Sequence, residues 1–457
     1  MLTYNLKKSP GVPLYEALYR CIRDDILSGT LRPGEKLPSK RALAENLEVS
    51  KITVEGAYGQ LLAEGYILSK EKIGYFVESV ERVPQSQPAV RAPEAQPSEE
   101  DILDLTGHSS SKFPFSVWSR LQREVMLDYG EALLLPLASR GCLELREAVA
   151  KHLAQFRGMA VSPENILIGA GTDFLYNLLI QLLGRDKIYA VEDPGYSKIR
   201  KIYAAGGVTC VSAGLDDHGV RPETLGQAQI LHISPSHHFP TGLVTSVHRR
   251  LELLNWAAAG EDRWIIEDDY DTEFRFDAHP KPAMQSLDRA GRVIYMNTFS
   301  KSLAPSFRIS YMVLPPALMG VFQEKLGFYG CTVPSFEQYT LARFLERGYF
   351  EKHINRMRKF YKLLRNRVIS VLKECTYADR LTIMEQDAGL HFLVKVDTRM
   401  TEEEMIRRCS RAEIRVYTLS SYYRETVPEE DRHCLVVNYA GLDETGLDRL
   451  REKLRNI

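Results

Sequence analysis

The sequence lacks several features that mark secreted, membrane-spanning or metal-binding proteins. Its seven cysteines in 457 residues are an odd number and include no CxxC pair, which argues against a disulfide scaffold and against structural zinc. No apolar run reaches the roughly 18 residues that a membrane span needs, since FLYNLLIQLL contains Asn177 and Gln181. The first residues, MLTYNLKKSP, do not follow the basic-then-apolar order of a secretion signal. We therefore expect a cytoplasmic protein with reduced thiols and no membrane association.

The chain also has no excess of charge of either sign. Lys plus Arg total 59 and Asp plus Glu total 60, so the net charge neither supports nor excludes nucleic-acid binding. Hydrophobic residues make up 44% and charged residues 26%, values that argue against a disordered or fibrous chain. At roughly 100 to 200 residues per domain, this length predicts two to four domains.

One stretch has the composition of a linker. Residues 81–103, ERVPQSQPAVRAPEAQPSEEDIL, contain four prolines, several small polar residues and no helical or alternating apolar period. They predict a head over residues 1–80, a semi-extended linker over 81–103 and a body over 104–457. The head and the body therefore need separate functional interpretations.

The head carries the pattern of a helix-turn-helix followed by a hairpin. A first helix, ending at Ser28-Gly29, is predicted from the helical spacing of Leu14, Leu18, Ile22, Ile26 and Leu27. Ser39 and Ser50 each precede a short periodic run and predict the N-caps of two further helices. Two short strands with a lysine-rich tip follow, over Gly65–Leu68 and Tyr75–Val77.

The head motif, LPSKRALAENLEVSKITVEGAYGQLLAEGYI closed by IGYFV, resembles the winged helix-turn-helix of GntR-type bacterial regulators. The resemblance implies that the head binds promoter DNA, because helix N-termini with basic side chains hold phosphates and the second helix reaches the major groove. The residues that it places near DNA are Ser39, Lys40, Arg41, Ser50, Lys51, Thr53 and, in the wing, Gly74. A helical protein-interaction module with solvated lysines is the alternative.

The body alternates strand-like runs with helical stretches, which predicts an α/β domain with a mainly parallel sheet. The candidate strands are Ile166–Ile168, Ile188–Val191, Ile230–Ile233, Trp264–Ile266, Val293–Tyr295 and Tyr311–Leu314. Polar residues gather where these strands end, and such sheets bind their ligands at that edge. We therefore expect the functional site there.

Four polar clusters follow these strands in order: GAGTDFL, EDPGYSKIR, EDDYDTEFRF and NTFSKSLAPSFRISY. Each alone has an ordinary structural explanation, since GAGT lacks the third glycine of a dinucleotide fingerprint and an acidic run is often a solvated face. The ordered set is similar to fold-type-I pyridoxal-phosphate (PLP) enzymes. Together with the head, it resembles the MocR subfamily of GntR regulators, whose body looks like an aminotransferase.

This resemblance implies a role for each matched residue. Lys301 in TFSK matches the lysine that forms the internal aldimine, and Asp268 matches the carboxylate that keeps the pyridine nitrogen protonated. Tyr270 matches the phenol that bonds the ring O3′, and Tyr196 matches the aromatic side chain that covers the ring face. The phosphate is assigned to Gly171, Thr172, Thr298, Ser300 and Arg308.

Recognition of an effector is less well specified. Lys198 stands where the subfamily member that senses GABA has an arginine for the ligand carboxylate, and lysine keeps the charge without the guanidinium fork. Arg415 and Arg424 are candidates for a second carboxylate contact, and Arg415 is our choice. The three histidines His232, His237 and His238 lack the carboxylate spacing of a metal site, so we predict no metal.

Two functions from different classes follow. The first is a PLP-dependent transcriptional regulator that binds promoter DNA, senses PLP, a small amine or an amino acid, and forms a head-to-tail homodimer. The second is a working aminotransferase that carries a DNA-binding domain, because the same residues serve transamination. An adaptor built on an inactive enzyme is a third, and the presence of Lys301, Asp268 and Arg308 argues against it.

Overall fold

The computed structural model describes residues 2–4, 6, 13–79, 102–107, 112–276, 282–384 and 388–456. The chain divides into two compact units, Met1–Pro97 and Ser98–Ile457. Residues 81–101 of the predicted linker lie outside the described residues. Leu103, the last residue of that predicted linker, pairs with Ile414 in the large unit. Within the described ranges, no helix has both the length and the apolar content required to cross a membrane.

The small unit is a three-helix head with a two-stranded wing. Its elements are α1 (Leu14–Ser28), α2 (Lys40–Leu47), α3 (Lys51–Ala63), β1 (Ile67–Lys70) and β2 (Gly74–Val77). Helix α1 is followed by the C-cap Gly29, whose φ of 82° is the left-handed conformation that glycine adopts without strain. The hydroxyls of Ser39 and Ser50 accept hydrogen bonds from the amides of Ala42 and Thr53, so both predicted N-caps are confirmed.

The core of the head is narrower than the sequence pattern suggests. Leu18, Ile22 and Ile26, which are four residues apart, are buried, whereas Leu14 and Leu27 are 46% and 47% exposed. Leu14 lies at the N-terminal end of this apolar stripe, and Leu27 lies about 100° around the helix from Ile26, off the stripe. Helix α3 completes the core with four buried side chains, Val54, Ala57, Tyr58 and Leu61.

The large unit combines twelve α-helices with two main sheets among its described residues. Its helices are α4 (Phe115–Tyr129), α5 (Leu143–Arg157), α6 (Thr172–Leu183), α7 (Ser197–Ala205), α8 (Val247–Ala258), α9 (Met284–Leu287), α10 (Phe299–Ser302), α11 (Pro316–Leu326), α12 (Ser335–Glu346), α13 (Tyr349–Glu374), α14 (Glu402–Arg411) and α15 (Glu444–Lys453). Short 3-10 helices span Gly130–Leu134, Pro163–Asn165, Pro222–Leu225, Pro305–Phe307, Ala378–Arg380, Leu419–Tyr422, Glu429–Asp431 and Leu454–Asn456.

The strands of the large unit form an eight-stranded sheet, a four-stranded sheet and a short pair. They are β3 (Leu103–Asp104), β4 (Ile166–Gly169), β5 (Ile188–Asp193), β6 (Thr209–Asp216), β7 (Gly219–Val220), β8 (Ile230–Ile233), β9 (Trp264–Asp268), β10 (Val293–Thr298), β11 (Ser310–Val313), β12 (Leu381–Met384), β13 (His391–Val396), β14 (Ile414–Arg415), β15 (Tyr417–Thr418) and β16 (Cys434–Asn438). All six strands predicted from the sequence are present.

The eight-stranded sheet has the order β4-β11-β10-β9-β8-β5-β6-β7. Its central pairs β10·β9, β9·β8, β8·β5 and β5·β6 are parallel, and β11 and β7 run antiparallel to their neighbours. This confirms the predicted α/β class with a mainly parallel sheet. The smaller sheet, β12-β13-β16-β15, is antiparallel.

The parallel arrangement determines where polar groups meet. Strands β5, β9 and β10 end at Asp193, Asp268 and Thr298, and parallel neighbours bring these carboxyl ends to one edge of the sheet. Strand β9 is also two residues longer than the sequence indicated, so Asp268 is part of the strand and is paired with Met296. A strand end fixes this carboxylate more firmly than a loop does.

Candidate cofactor site and nucleic-acid interface

Lys301 lies in α10, the four-residue helix that directly follows β10. Its side chain is half-buried, and burial lowers the pKa of its amine, while the carboxylate of Asp271 opposes that shift. A lower pKa increases the neutral fraction of the amine, which is the form that attacks an aldehyde. Lys301 therefore has the environment of a nucleophilic amine.

Asp268 is buried and keeps one carboxylate oxygen available. Oδ2 accepts a hydrogen bond from the Tyr176 hydroxyl and lies 3.5 Å from His232 Nε2. Oδ1 has no hydrogen-bond partner within the described part of the chain. A buried carboxylate oxygen without a partner is costly, so a cationic ring nitrogen at this position would satisfy it. This observation fits a pyridinium ring.

Tyr270 and Asp271 converge on one histidine. The Tyr270 hydroxyl lies 3.4 Å from His237 Nδ1, and Asp271 Oδ2 lies 2.8 Å from the same nitrogen. Burial, followed by the charge of Asp271, raises the pKa of Tyr270 well above its usual value. The phenol is thus kept protonated and can donate a hydrogen bond to a ring oxygen.

Three of the five predicted phosphate residues, Gly171, Thr172 and Arg308, meet at the first turn of α6. Gly171 precedes this helix with a φ of 86°, and a Cβ at that position would lie 2.3 Å from Arg308 Nη2. Thr172 opens the helix, so backbone amides, a hydroxyl and a guanidinium are close together. The Ser300 hydroxyl is buried without a partner in the described structure, so it remains available to a ligand.

The hydroxyl of Thr298 is already hydrogen-bonded to other groups of the protein. Its Oγ1 accepts hydrogen bonds from the Ser300 amide at 3.1 Å and from the Ser310 hydroxyl at 2.7 Å. It therefore caps α10 and positions the segment that carries Lys301. A direct phosphate contact by this hydroxyl would compete with these two bonds.

Tyr196 reaches the site through a series of aromatic contacts. Its ring is 47% exposed and meets Phe239 edge-on, with centroids 5.8 Å apart. Phe239 packs against His391 at 5.1 Å, and His391 lies 4.8 Å from the ring of His237. Four successive ring contacts thus connect Tyr196 to Tyr270, the last of them between His237 and Tyr270 with centroids 6.3 Å apart.

The three effector candidates occupy different places, and the backbone amide of Arg424 donates to Asp193 Oδ1 at 2.9 Å. Lys198 Nζ lies 2.7 Å from Asp173 Oδ2, and the same oxygen lies 3.2 Å from Arg308 Nη2. Lys198 is therefore beside the phosphate residues. Arg415 instead pairs with Asp104 at 3.3 Å, next to the short β3·β14 pair. The described contacts do not bring Arg415 to the Lys198 group.

In the head, the predicted DNA-contacting residues cluster at the N-terminal turns of α2 and α3. Arg41 is 85% exposed and pairs with Glu45 at 3.0 Å, and Lys51 is also exposed. Lys40 pairs with Glu55 at 3.3 Å and lies over the ring of Tyr75. Ser39, Ser50 and Thr53 contribute hydroxyls to these caps. Gly74, with a φ of 133°, opens the second wing strand after the exposed Lys70 and Lys72.

Comparison with known proteins agrees with both units. The family described as "Bacterial regulatory proteins, gntR family" matches residues 14–77, and "Aminotransferase class I and II" matches residues 105–454. The uncharacterised HTH-type transcriptional regulator YdeL of Bacillus subtilis is 37% identical, covering 99% of this chain and 98% of its own length. The probable rhizopine catabolism regulatory protein MocR of Rhizobium meliloti is 34% identical over 96% of this chain and 92% of its own. The chain belongs to the MocR subfamily of GntR-type transcriptional regulators.

The large unit of this MocR-subfamily chain also resembles solved aminotransferases. The kynurenine aminotransferase of Pyrococcus horikoshii is 27% identical, with a TM-score of 0.67, over 78% of this chain and 91% of that structure. The aminotransferase class I and II fold implies dependence on PLP, and the GntR head implies DNA binding. The expected fold class and family are therefore confirmed.

Three residues at the site were not expected from the sequence: Tyr176, Asp173 and His391. Tyr176 follows Thr172 by four residues, and residues at this spacing share one helix face, so the sequence contained a signal for it. Asp173 and His391 had no local signal. Asp173 meets Lys198 and Arg308 from separate parts of the chain, and His391 reaches the site from the smaller sheet.

Replacing Gly171 with alanine should weaken PLP binding about tenfold, the effect of losing roughly 1.4 kcal/mol of charge-assisted bonding. The added Cβ would displace the Arg308 guanidinium as well as strain a positive φ. Gly158→Ala is the matched control, because Gly158 has a φ of 64° and open space around its Cβ position. Absorbance titration with PLP measures the affinity of both variants. Equal affinities of G171A and G158A would contradict the explanation that the added Cβ displaces the Arg308 guanidinium.

Proposed function

We propose that this regulator holds PLP covalently on Lys301 and senses PLP itself, a small amine or an amino acid, with its head bound to promoter DNA. The observation that carries the proposal is the open Oδ1 of the buried Asp268 in the same site as an amine of lowered pKa. One group is suited to a ring cation and the other to an aldehyde. PLP carries both of these groups, a ring nitrogen that can be protonated and an aldehyde, in one molecule.

Each proposed contact uses chemistry available to the side chain. When bound, PLP supplies an aldehyde that a primary amine attacks and a ring that withdraws electrons. Asp268 holds a proton at the ring nitrogen, and Tyr270 donates to the ring oxygen. The phosphate accepts hydrogen bonds from Gly171, Thr172, Ser300 and Arg308, and Tyr196 covers the ring. Thr298 acts by positioning the turn that carries Lys301.

An effector acts through differential affinity for two arrangements of the large unit. An amine effector competes with Lys301 for the same aldehyde, so its binding frees the lysine side chain. PLP as the effector loads the site itself. A similar regulator, PdxR of Corynebacterium glutamicum, is named for pyridoxine biosynthesis and is 28% identical over 89% of this chain, which supports PLP as the signal.

Lys198 is a constrained candidate for an effector carboxylate. Its ammonium already pairs with Asp173, so a ligand carboxylate would have to compete with that pair. The pair is partly exposed, and exposed pairs are weak, so such competition is feasible for a ligand held elsewhere by its amine. Arg415 would serve only if its segment moved from Asp104 toward the site.

A working aminotransferase is the second candidate. It is favoured by the same observation, because an amine of lowered pKa and a carboxylate aimed at the ring serve transamination equally well. Incubation of the purified protein with amino donors and 2-oxo acids separates the two functions. Many turnovers per site at ordinary enzyme rates would favour catalysis as the main role.

Replacing Lys301 with alanine should abolish covalent capture of PLP. After borohydride reduction and tryptic digestion, the native chain should carry the adduct on residues 293–308, since a modified Lys301 resists cleavage. Lys198→Ala is the control, because this lysine also lies in the site but should not bond the aldehyde. An adduct that survives in K301A, or its absence from the native chain, would refute the covalent assignment.

Replacing Arg41 or Lys51 with alanine should weaken binding to DNA from upstream of the chain's own gene. Each loss should reduce the salt dependence of log K by about one unit per phosphate contact and leave the cofactor spectrum unchanged. Arg20→Ala is the control, since Arg20 is 53% exposed on α1 and pairs with Glu16. A lost cofactor spectrum with intact DNA binding would mean that the two functions are assigned to the wrong units.

The large unit exposes apolar side chains that support the proposed head-to-tail homodimer. Leu127 on α4 and Leu134 and Leu135 after it are 77%, 74% and 66% exposed. A dimer interface would remove this surface from water. Leu134→Glu should therefore yield monomers by light scattering, while Leu363→Glu, at a position 59% exposed on α13, should not. A dimeric L134E would contradict the proposed surface.

A further inference from the structure

Ile52 is the most exposed large apolar side chain in the described part of the head. It lies at the second position of α3 and is 79% exposed, whereas the opposite face of the helix buries Val54, Ala57 and Tyr58. The head's own packing therefore does not require isoleucine at this position. A partner that covers the side chain would explain it better than folding does.

The residues around Ile52 are suited to DNA, a polyanion whose major groove also presents apolar methyl groups. Lys51 is exposed beside it, and Arg41, which pairs with Glu45 at 3.0 Å, is exposed at the start of the neighbouring helix. The one acid in this turn of α3, Glu55, pairs with Lys40 at 3.3 Å, so its charge is partly neutralised. The N-terminal end of α3 adds the positive end of the helix dipole. Charge thus favours nucleic acid over an apolar protein surface.

The same face of α3 leaves room for close approach. Gly59 follows Ile52 by seven residues, which at 100° per residue brings it within 20° of the same direction. A Cβ at Gly59 would meet no atom within 4 Å, and its φ is not positive, so neither packing nor backbone conformation in the head requires glycine. Glycine inside a helix costs about 1 kcal/mol relative to alanine, so its presence is consistent with an outside body close to the helix.

We propose that Ile52 contacts the C5 methyl group of a thymine in the major groove and so determines one base of the operator. The proposal rests on the DNA binding proposed above. Apolar contact with the thymine methyl is a recognised form of base readout, and it needs an exposed aliphatic side chain on the N-terminal turn of a recognition helix. Lys51 then positions the helix through phosphate, and Ile52 supplies sequence preference.

The test removes one methyl group at a time from the DNA. A preferred duplex is first selected from a random pool with the full-length protein. Each thymine is then replaced with uracil, which lacks only the C5 methyl, and Kd is measured at fixed salt. One thymine in each half-site should weaken native binding about three- to fivefold when replaced, the value of burying one methyl group.

Ile52→Ala removes the contact in both half-sites, so it should bind the thymine duplex about ten- to 25-fold more weakly and show no further loss on the uracil duplex. Ile73→Ala is the matched control, because Ile73 is also an exposed isoleucine of the head, 57% exposed at the wing. The I73A variant should still bind the uracil duplex about three- to fivefold more weakly than the thymine duplex.

If I52A retains the uracil effect, or if only I73A removes it, the inference is overturned while DNA binding by the head stands. If the native chain selects no duplex from the pool, the proposed promoter binding fails and the inference fails with it.

Discussion

The buried carboxylate of Asp268 is the constraint on which the rest of the large unit's site depends. A carboxylate that loses water must be hydrogen-bonded or paired with a cation, or the folded state pays several kcal/mol. Tyr176 and His232 contact only the Oδ2 atom of this carboxylate. The protein therefore holds an anion that is half satisfied, at the end of a strand that cannot easily move. A bound cationic ring would pair with the remaining carboxylate oxygen, so cofactor binding would stabilise this region.

The neighbouring acids explain why this one is different. Glu267 accepts hydrogen bonds from the Met284 and Gln285 amides, and Asp269 pairs with Arg157 at 3.0 Å. Because side chains alternate across a strand, Asp268 points away from both of these acids. The acidic run is thus not one solvated face, as a lone sequence motif would suggest. Its members have separate partners. Asp269 Oδ1 also lacks a hydrogen-bond partner in the described structure, but Asp269 is paired with the Arg157 guanidinium, whereas the ion-pair partner of Asp268 there is a histidine.

Local patterns predicted local structure well. The caps at Ser39 and Ser50 and the six body strands depend on interactions within a few residues, and each was found. Patterns were less informative where the fold joins distant segments. The Tyr176–Asp268 bond spans 92 residues and the Arg308–Asp173 contact spans 135, and neither is encoded by any short period. Homologous motifs identified Asp268 and Arg308 but not their partners.

The pairing of Lys198 with Asp173 changes how effector recognition should be understood. A free lysine at the site would attract any carboxylate, and selectivity would then depend on that charge. Here the ammonium is already paired, and Asp173 also approaches Arg308, so an added carboxylate gains only the difference between two similar ion pairs. Under the proposed function, the amine of an effector would bond to the cofactor aldehyde in place of Lys301, an interaction that its acid end cannot make. The amine end of an effector, rather than its acid end, should therefore dominate recognition.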